Sequence, residues 1–360
     1  MKIGLLSPHY AFNYGAVLQA FALKHFLRTN GYDAVILNRR PAYQCAIPSL
    51  RGRLARRIEE KAKQNSFGIF EKKYLQPQTK PIISQDDWSN VSLDTFGAII
   101  VGSDQVWRDD YAFNSFGYNL FLDFLEGYDV KRISYAPSLG KESWQTSPKT
   151  EDRVKELLEQ FSKISVREYS SINILKEKFG VEAQLVLDPT MLLNASDYRN
   201  IFSIPNEAGN YLAAYILDYN KEFSYSLNDI ARKLKLPVKC IGVPSPKTKI
   251  GKIISRFTPM PPVKQWLMNI ANSKMVITNS FHGMVFSIIF RKQFIVFMNS
   301  ERGAARFKSL LNMFGLQERL VVNNNWEIVV HTEIDYSVLD ALIEEWRKKS
   351  FLFLNEALKK

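Results

Sequence analysis

In Asn279-Ser280-Phe281-His282-Gly283 a histidine stands between two apolar runs, Met275-Val276-Ile277-Thr278 before it and Met284–Phe290 after it. The order reads as strand, short turn and helix, with His282 in the first helical turn. The first N–H groups of a helix lack intrahelical partners, and the aligned peptide dipoles leave partial positive charge there. Such a turn binds anions. An imidazole beside a bound anion can give or take a proton. A lone histidine more often serves structure, donating to a carbonyl. The strand-end position is what favours chemistry here.

Four other stretches place polar groups after an apolar run. Ser7–Ala16 follows the run Ile3–Leu6, and its Asn13 and Gly15 let a ligand approach the backbone closely. Its alternative role is a helix cap and a packing glycine. Gly102-Ser103-Asp104-Gln105-Val106-Trp107 follows Ala98–Val101. Asp104 there can orient or deprotonate a hydroxyl, with Ser103 and Gln105 beside it; an Asx-turn or helix cap explains it equally well. In Ser165-Val166-Arg167-Glu168, Arg167 suits a bidentate grip on carboxylate or phosphate. The alternative is an Arg167–Glu168 surface pair, which contributes little. Arg302 and Arg306 follow the run Phe294–Met298 and can join Arg167 on one anion, where isolated surface arginines would be solvated.

The elements that must carry these groups alternate. Strands are expected at Ile3–Leu6, Asp33–Asn38, Ala98–Val101, Ile133–Ala136, Ile164–Val166 and Gln184–Leu187, with helices over 14–28, 151–161 and 170–178. A second block begins after Asp188-Pro189-Thr190. It has strands at Tyr211–Leu217, Val238–Val243, Met275–Thr278 and Phe294–Met298, and helices over 223–234, 263–272, 282–290 and 306–314. Val243-Pro244-Ser245-Pro246 and Pro259–Pro262 read as loops. A last helix over 337–358 carries Val338, Leu342, Ile343, Trp346 and Phe353 on one side. This is an α/β chain of two Rossmann-like domains. Residues 1–192, with a returning helix within 337–360, form the first, on the acceptor side. Residues 193–336 form the second, on the donor side. By analogy, two such domains and a closing helix make a GT-B-like arrangement with an interdomain cleft, the natural place for a ligand.

The 360 residues, 46% of them hydrophobic, suffice for two domains. A net charge of +12 favours anionic partners. No recognised motif accompanies that charge, so nucleic acid is not expected. The basic run Arg51–Lys63 reads as a solvated helix face or as a contact for lipid headgroups. The two cysteines, Cys45 and Cys240, have no metal-site or disulfide spacing, so no metal is expected and a reducing compartment fits. The first residues are too short an apolar run for a signal peptide, and no stretch reaches the roughly 20 apolar residues of a membrane span. The expectation is a cytoplasmic protein able to touch the inner face of the membrane.

Taken in order, several pieces resemble the polysaccharide pyruvyl transferase family. They are Asn13–Gln19, Val101–Trp107, Ile133–Ala136, Ser165–Glu168, Leu187-Asp188-Pro189-Thr190 and Thr278–Gly283. The resemblance covers about Ile3 to Leu316. It implies a GT-B-like fold and transfer of pyruvate from phosphoenolpyruvate to a sugar, often on a lipid-linked glycan. Family members hold the donor with an arginine matching Arg167 and an Arg-Leu-His motif whose histidine matches His282. A basic residue further on corresponds most nearly to Arg302. Here Ser280 and Phe281 replace the arginine and leucine, so other groups must hold the donor.

On this reading His282 and Asp104 are catalytic. The donor is held by Arg167, Ser280, Phe281, Gly283, Arg302 and Arg306. The acceptor, a sugar on a lipid-diphosphate-linked oligosaccharide, meets Asn13, Gly15, Ser103 and Gln105. No cofactor is expected beyond phosphoenolpyruvate as donor substrate. A GT-B glycosyltransferase using a nucleotide sugar and a non-catalytic polysaccharide-assembly protein remain open alternatives.

Overall fold

In the computed structural model the short apolar runs become the strands of two parallel sheets. The structure describes residues 1–9, 12–41, 66–219, 221–242, 245–246, 258–298, 304–322 and 325–359. Among these, one unit comprises the residues up to 41, Glu71–Leu192 and those from Ile343 on. The other comprises 66–70 and Leu193–Leu342. The basic run Arg51–Lys63 and Arg302 lie outside the described residues.

The first sheet contains β1 (Lys2–Leu6), β2 (Asp33–Ile36), β3 (Ala98–Val101), β4 (Lys131–Ser134), β5 (Lys163–Val166) and β6 (Gln184–Leu185). Their order is β2-β1-β3-β4-β5-β6, and the pairings are parallel. The Ala-Ile-Ile-Val sequence of β3 is buried throughout, as a parallel strand covered on both faces must be. The chain leaves β1 toward β2 on one side and resumes at β3 on the other. The carboxyl ends of β1 and β3 therefore form a topological switch point, where doubly wound sheets place ligands.

The second unit repeats this plan. Its strands are β7 (Leu212–Tyr215), β8 (Asp218–Tyr219), β9 (Val238–Cys240), β10 (Ser245–Pro246), β11 (Met275–Thr278), β12 (Gln293–Phe297) and β13 (Leu320–Val321). The main sheet runs β13-β12-β11-β7-β9, again parallel, so its switch point lies between β7 and β11. Ser245–Pro246, read from sequence as loop, instead pairs in parallel with Asp218–Tyr219. Proline is tolerated in a short outer strand, where its missing N–H is not needed.

Most helices begin and end within a few residues of the sequence reading. The helix Pro148–Leu158 starts three residues earlier than expected, because Ser147 caps it and Pro148 occupies its first turn. Three α-helices unread in the sequence are Asp109–Phe116, Ala195–Phe202 and Trp326–His331. Ala195–Phe202 carries a capping box from Asn194 and Asp197. The last helix, Tyr336–Leu358, buries Ile343 and Phe353 of the expected stripe and half-buries Leu342 and Trp346, but the stripe is wider than expected. Val338 is exposed, while Leu339, Ile343, Arg347, Ser350 and Leu354 are buried. Arg347 Nε donates to the Met191 carbonyl at 2.9 Å, and Ser350 Oγ accepts from Leu187 N at 3.0 Å. Counting only apolar residues hid a stripe that is partly polar. Among the described residues no helix is long and apolar enough to cross a membrane.

The helix Tyr14–Thr29 is buried along most of its length. Gln19 is nevertheless satisfied: its amide nitrogen donates to Ser7 Oγ at 2.6 Å and to the Ala16 carbonyl at 2.9 Å. Next to it His9, also buried, donates from Nδ1 to the Ser7 carbonyl at 2.9 Å and faces the Asn38 amide at 3.2 Å. Burial pushes this imidazole below its ordinary value, against the Ser7 carbonyl and Glu71, with Arg40 adding to the lowering. The fold thus favours neutral His9. Its contribution is complete above the unfolded value, about 6.5, and is lost as pH falls below it. His9→Gln should flatten the decline of urea stability between neutral and mildly acidic pH, with the wild type falling more steeply.

Gly283 is fixed by close packing. A Cβ there would lie 2.3 Å from Thr278 Oγ1 and 3.1 Å from Tyr215 Cδ1. Thr278 Oγ1 cannot yield, because it donates to the Tyr215 carbonyl at 2.7 Å and accepts from Ser280 N at 3.0 Å. Gly283→Ala should lower stability by about 1–3 kcal/mol, read as a reduced urea midpoint.

Candidate active site

The motif around His282 sits at the switch point of the second sheet. Strand β11 ends at Thr278, and the helix Phe281–Ile289 begins three residues later, capped by Ser280. Asn279 spans the gap to the loop after β7: its Oδ1 accepts from Leu217 N at 2.8 Å, and its Nδ2 donates to the Asp218 carbonyl at 2.9 Å. The Ser280 hydroxyl accepts from Gly283 N at 3.4 Å, so it closes the helix start. His282 is buried, its ring edge-on to Phe281 at 5.3 Å. The other side of this group comes from the helix Ala305–Met313. There the buried Arg306 holds its guanidinium 5.5 Å from the centre of the Phe281 ring. Phe307 packs edge-on against the same ring. The fold therefore gathers Ser280, Phe281, His282, Gly283 and Arg306 in one place.

The remaining described candidates belong to the first unit. Asp104 adopts φ +86, a left-handed conformation that a residue with a Cβ rarely takes and that marks strain held by its surroundings. Those surroundings are visible. Ser138 N donates to the Asp104 carbonyl at 2.8 Å, and Gln105 N donates to its carboxylate at 2.8 Å. The Gln105 side chain accepts from Arg108 at 2.8 Å. Trp107, at the end of this motif, is core: its indole N–H donates to the Leu120 carbonyl at 2.8 Å. Gly102 lies under Ser7, so the loops after β1 and β3 touch at the switch point. Asn13 caps the first helix by accepting from Gly15 N at 2.9 Å.

Arg167 is not a surface arginine, and Arg167–Glu168 is not a surface pair; both are buried. The guanidinium donates to Asp188 Oδ2 at 2.8 Å, to Ser103 Oγ at 3.2 Å and to Asp104 Oδ1 at 3.4 Å. Glu168 Oε2 stands 3.7 Å from its Nε. Burial alone pushes the guanidinium down, but Asp188, Asp104 and Glu168 together hold it above its ordinary value. Arg167, Ser103 and Asp104 are thus brought together, around carboxylates of the chain itself. Asp188 and Glu168 were given no role from sequence. Asp188 had a signal, since a carboxylate next to Pro189-Thr190 can take donors from its own turn. Thr190 N and Oγ1 donate to it at 3.0 and 2.7 Å. Among the described residues no group of three or more His, Cys, Asp or Glu is placed to hold a metal ion.

The fold resembles that of a UDP-glucosyltransferase from Polygonum tinctorium capable of glucosylating indoxyl, at 7% identity over 97% of this chain and 93% of that one, with a TM-score of 0.53. The fold is GT-B-like. Two fainter likenesses are to epimerases. The putative UDP-N-acetylglucosamine 2-epimerase of Listeria monocytogenes shares 9% identity over 97% and 90% of the two chains, with a TM-score of 0.49. The UDP-GlcNAc 2-epimerase of Neisseria meningitidis, bound to UDP-GlcNAc, shares 11% over 97% and 94%, with a TM-score of 0.48. Among proteins of curated function none matches the sequence. The sequence model of polysaccharide pyruvyl transferases matches residues 13–301, from the Asn13 cap past the His282 helix. With most of its length matched in this way, the chain belongs to the polysaccharide pyruvyl transferase family.

Proposed function

We propose that the protein transfers pyruvate from phosphoenolpyruvate to two hydroxyls of one sugar, forming a cyclic ketal and releasing phosphate. The supporting observation is the gathering of His282, Phe281 and Arg306 at the switch point of the second sheet, in a member of this family. The positive end of the Phe281–Ile289 helix dipole and the Arg306 guanidinium meet the donor's negative charge. Arg302, close before Arg306 in the sequence, is assigned to the donor with it. Phe281 orients Arg306 by lying under its guanidinium.

His282, as imidazolium, gives its proton to C3 of the enol, and C2 becomes oxocarbenium-like. A sugar hydroxyl adds to C2 and passes its proton to Asp104. The C2–O bond to phosphate breaks with the electron pair leaving on phosphate. The second hydroxyl then closes on C2, and its proton leaves with phosphate. Phosphoenolpyruvate and a diol become a ketal and inorganic phosphate, with no oxidation or reduction. Gln105 and Asn13 face the acceptor, with the buried Ser103 and Gly15 supporting them from behind. Arg167 acts within the first unit by holding Asp104, rather than by holding the donor. The acceptor sugar is carried on a lipid-diphosphate-linked oligosaccharide of a cell-surface polysaccharide at the cytoplasmic membrane face, in keeping with a net charge of +12.

Mass spectrometry of lipid-linked oligosaccharide incubated with phosphoenolpyruvate should show a gain of one pyruvyl unit less water. Calorimetry should show binding of phosphoenolpyruvate; binding of UDP in its place would make the protein a nucleotide-sugar enzyme. His282→Ala should reduce turnover by about 10²–10⁴-fold while the thermal midpoint stays close to wild type. Full turnover in that variant removes His282 from the chemistry. Arg306→Met should weaken phosphoenolpyruvate binding by roughly 10–100-fold, seen in the same calorimetry.

A further inference from the structure

Asp104 shares its cation with two buried carboxylates. Arg167 Nη1 lies 2.8 Å from Asp188 Oδ2, Nη2 lies 3.4 Å from Asp104 Oδ1, and Nε lies 3.7 Å from Glu168 Oε2. The side chains of Asp188 and Glu168 are fully buried, whereas that of Asp104 is 22% exposed. Only Asp104 of the three can meet a substrate.

The two buried carboxylates are supported by further donors. Asp188 accepts from Ser103 Oγ at 3.1 Å and from Thr190 N and Oγ1. Glu168 Oε1 accepts from Ser138 Oγ at 2.7 Å, Ser171 Oγ at 2.9 Å and Gly140 N at 3.0 Å. These donors take up the carboxylate lone pairs that Arg167 does not reach. A further titratable group near Asp188 is Tyr135, whose phenol is pushed far above its usual range by burial and stays neutral.

We propose that Asp188 is a positioning residue that keeps Asp104 basic by taking the larger share of the Arg167 guanidinium. The inference rests on Asp104 being the acceptor-side base. A carboxylate with an arginine to itself holds its proton weakly and makes a poor base. With Asp188 at the shorter distance and Glu168 on the third nitrogen, most of the Arg167 charge is answered before it reaches Asp104. What remains orients Asp104, whose backbone is already fixed in its strained conformation.

The test is the pH profile of kcat/KM with phosphoenolpyruvate and acceptor. In Asp188→Asn the freed guanidinium turns to Asp104. The acid limb should move to lower pH by about one unit, and the plateau should fall. Glu168→Gln should move the limb in the same direction by less. A merely structural Asp188 would lower the thermal midpoint and leave the limb in place. An unmoved limb in folded Asp188→Asn overturns the proposal, as does an unmoved limb in Glu168→Gln if Asp188→Asn does not fold. Asp104→Asn separates the two levels. Full turnover in that variant removes Asp104 as the base. Loss of turnover there, with unmoved limbs in the others, overturns the role of Asp188 alone.

Discussion

The contact between Arg167 and Asp188 holds together most of the carboxyl edge of the first sheet. Ser103 and Asp104 follow β3, Ser138 and Gly140 follow β4, Arg167 and Glu168 follow β5, and Asp188 and Thr190 follow β6. Each of these loops has a hydrogen bond into the same charged cluster. Burying such charges costs solvation, which their mutual attraction offsets only when every remaining lone pair finds a donor. Here serine, threonine and backbone donors supply that support. Removing one partner from a pair of this kind typically costs about 3–5 kcal/mol, since the other charge stays buried. The cluster is best understood as fixing the loops in one arrangement rather than adding net stability.

The second unit solves the same problem without charge. Thr278, Asn279 and Ser280 tie the ends of β7 and β11 to the helix start through neutral hydrogen bonds. Gly283 allows the helix to press against Thr278 and Tyr215. Arg306 stands in this group set against an aromatic face. A cation on an aromatic ring gains roughly 0.5–2 kcal/mol. The two units thus share a strand order and differ in electrostatics. One edge carries an excess of carboxylate, the other a cation and an imidazole.

Much of this was legible before the fold. Strands β3 and β11 end where the apolar runs end, because parallel strands buried on both faces need uninterrupted apolar sequence. The reading of Ile133–Ala136 as a strand ran two residues too far. Ala136 turns to φ +57, a conformation its sequence does not announce. In the last helix the buried stripe also takes in Arg347 and Ser350, polar residues whose partners are distant in sequence. The hydroxyl of Ser280 caps its own helix, a role that serine before an apolar run also signals.

The sequence alone determined the α/β class, the family and the places where polar groups follow strands. All of these depend on local order: apolar runs, the residues that punctuate them, and motifs in a fixed succession. What it could not determine was which carboxylate Arg167 would meet. Glu168 is its neighbour in the chain, but Asp188, from the next strand end, makes the shortest contact. That choice belongs to the tertiary structure. Parallel pairing brings the carboxyl ends of successive strands to one edge, and burial there makes every charge find a partner across the sheet rather than along the chain.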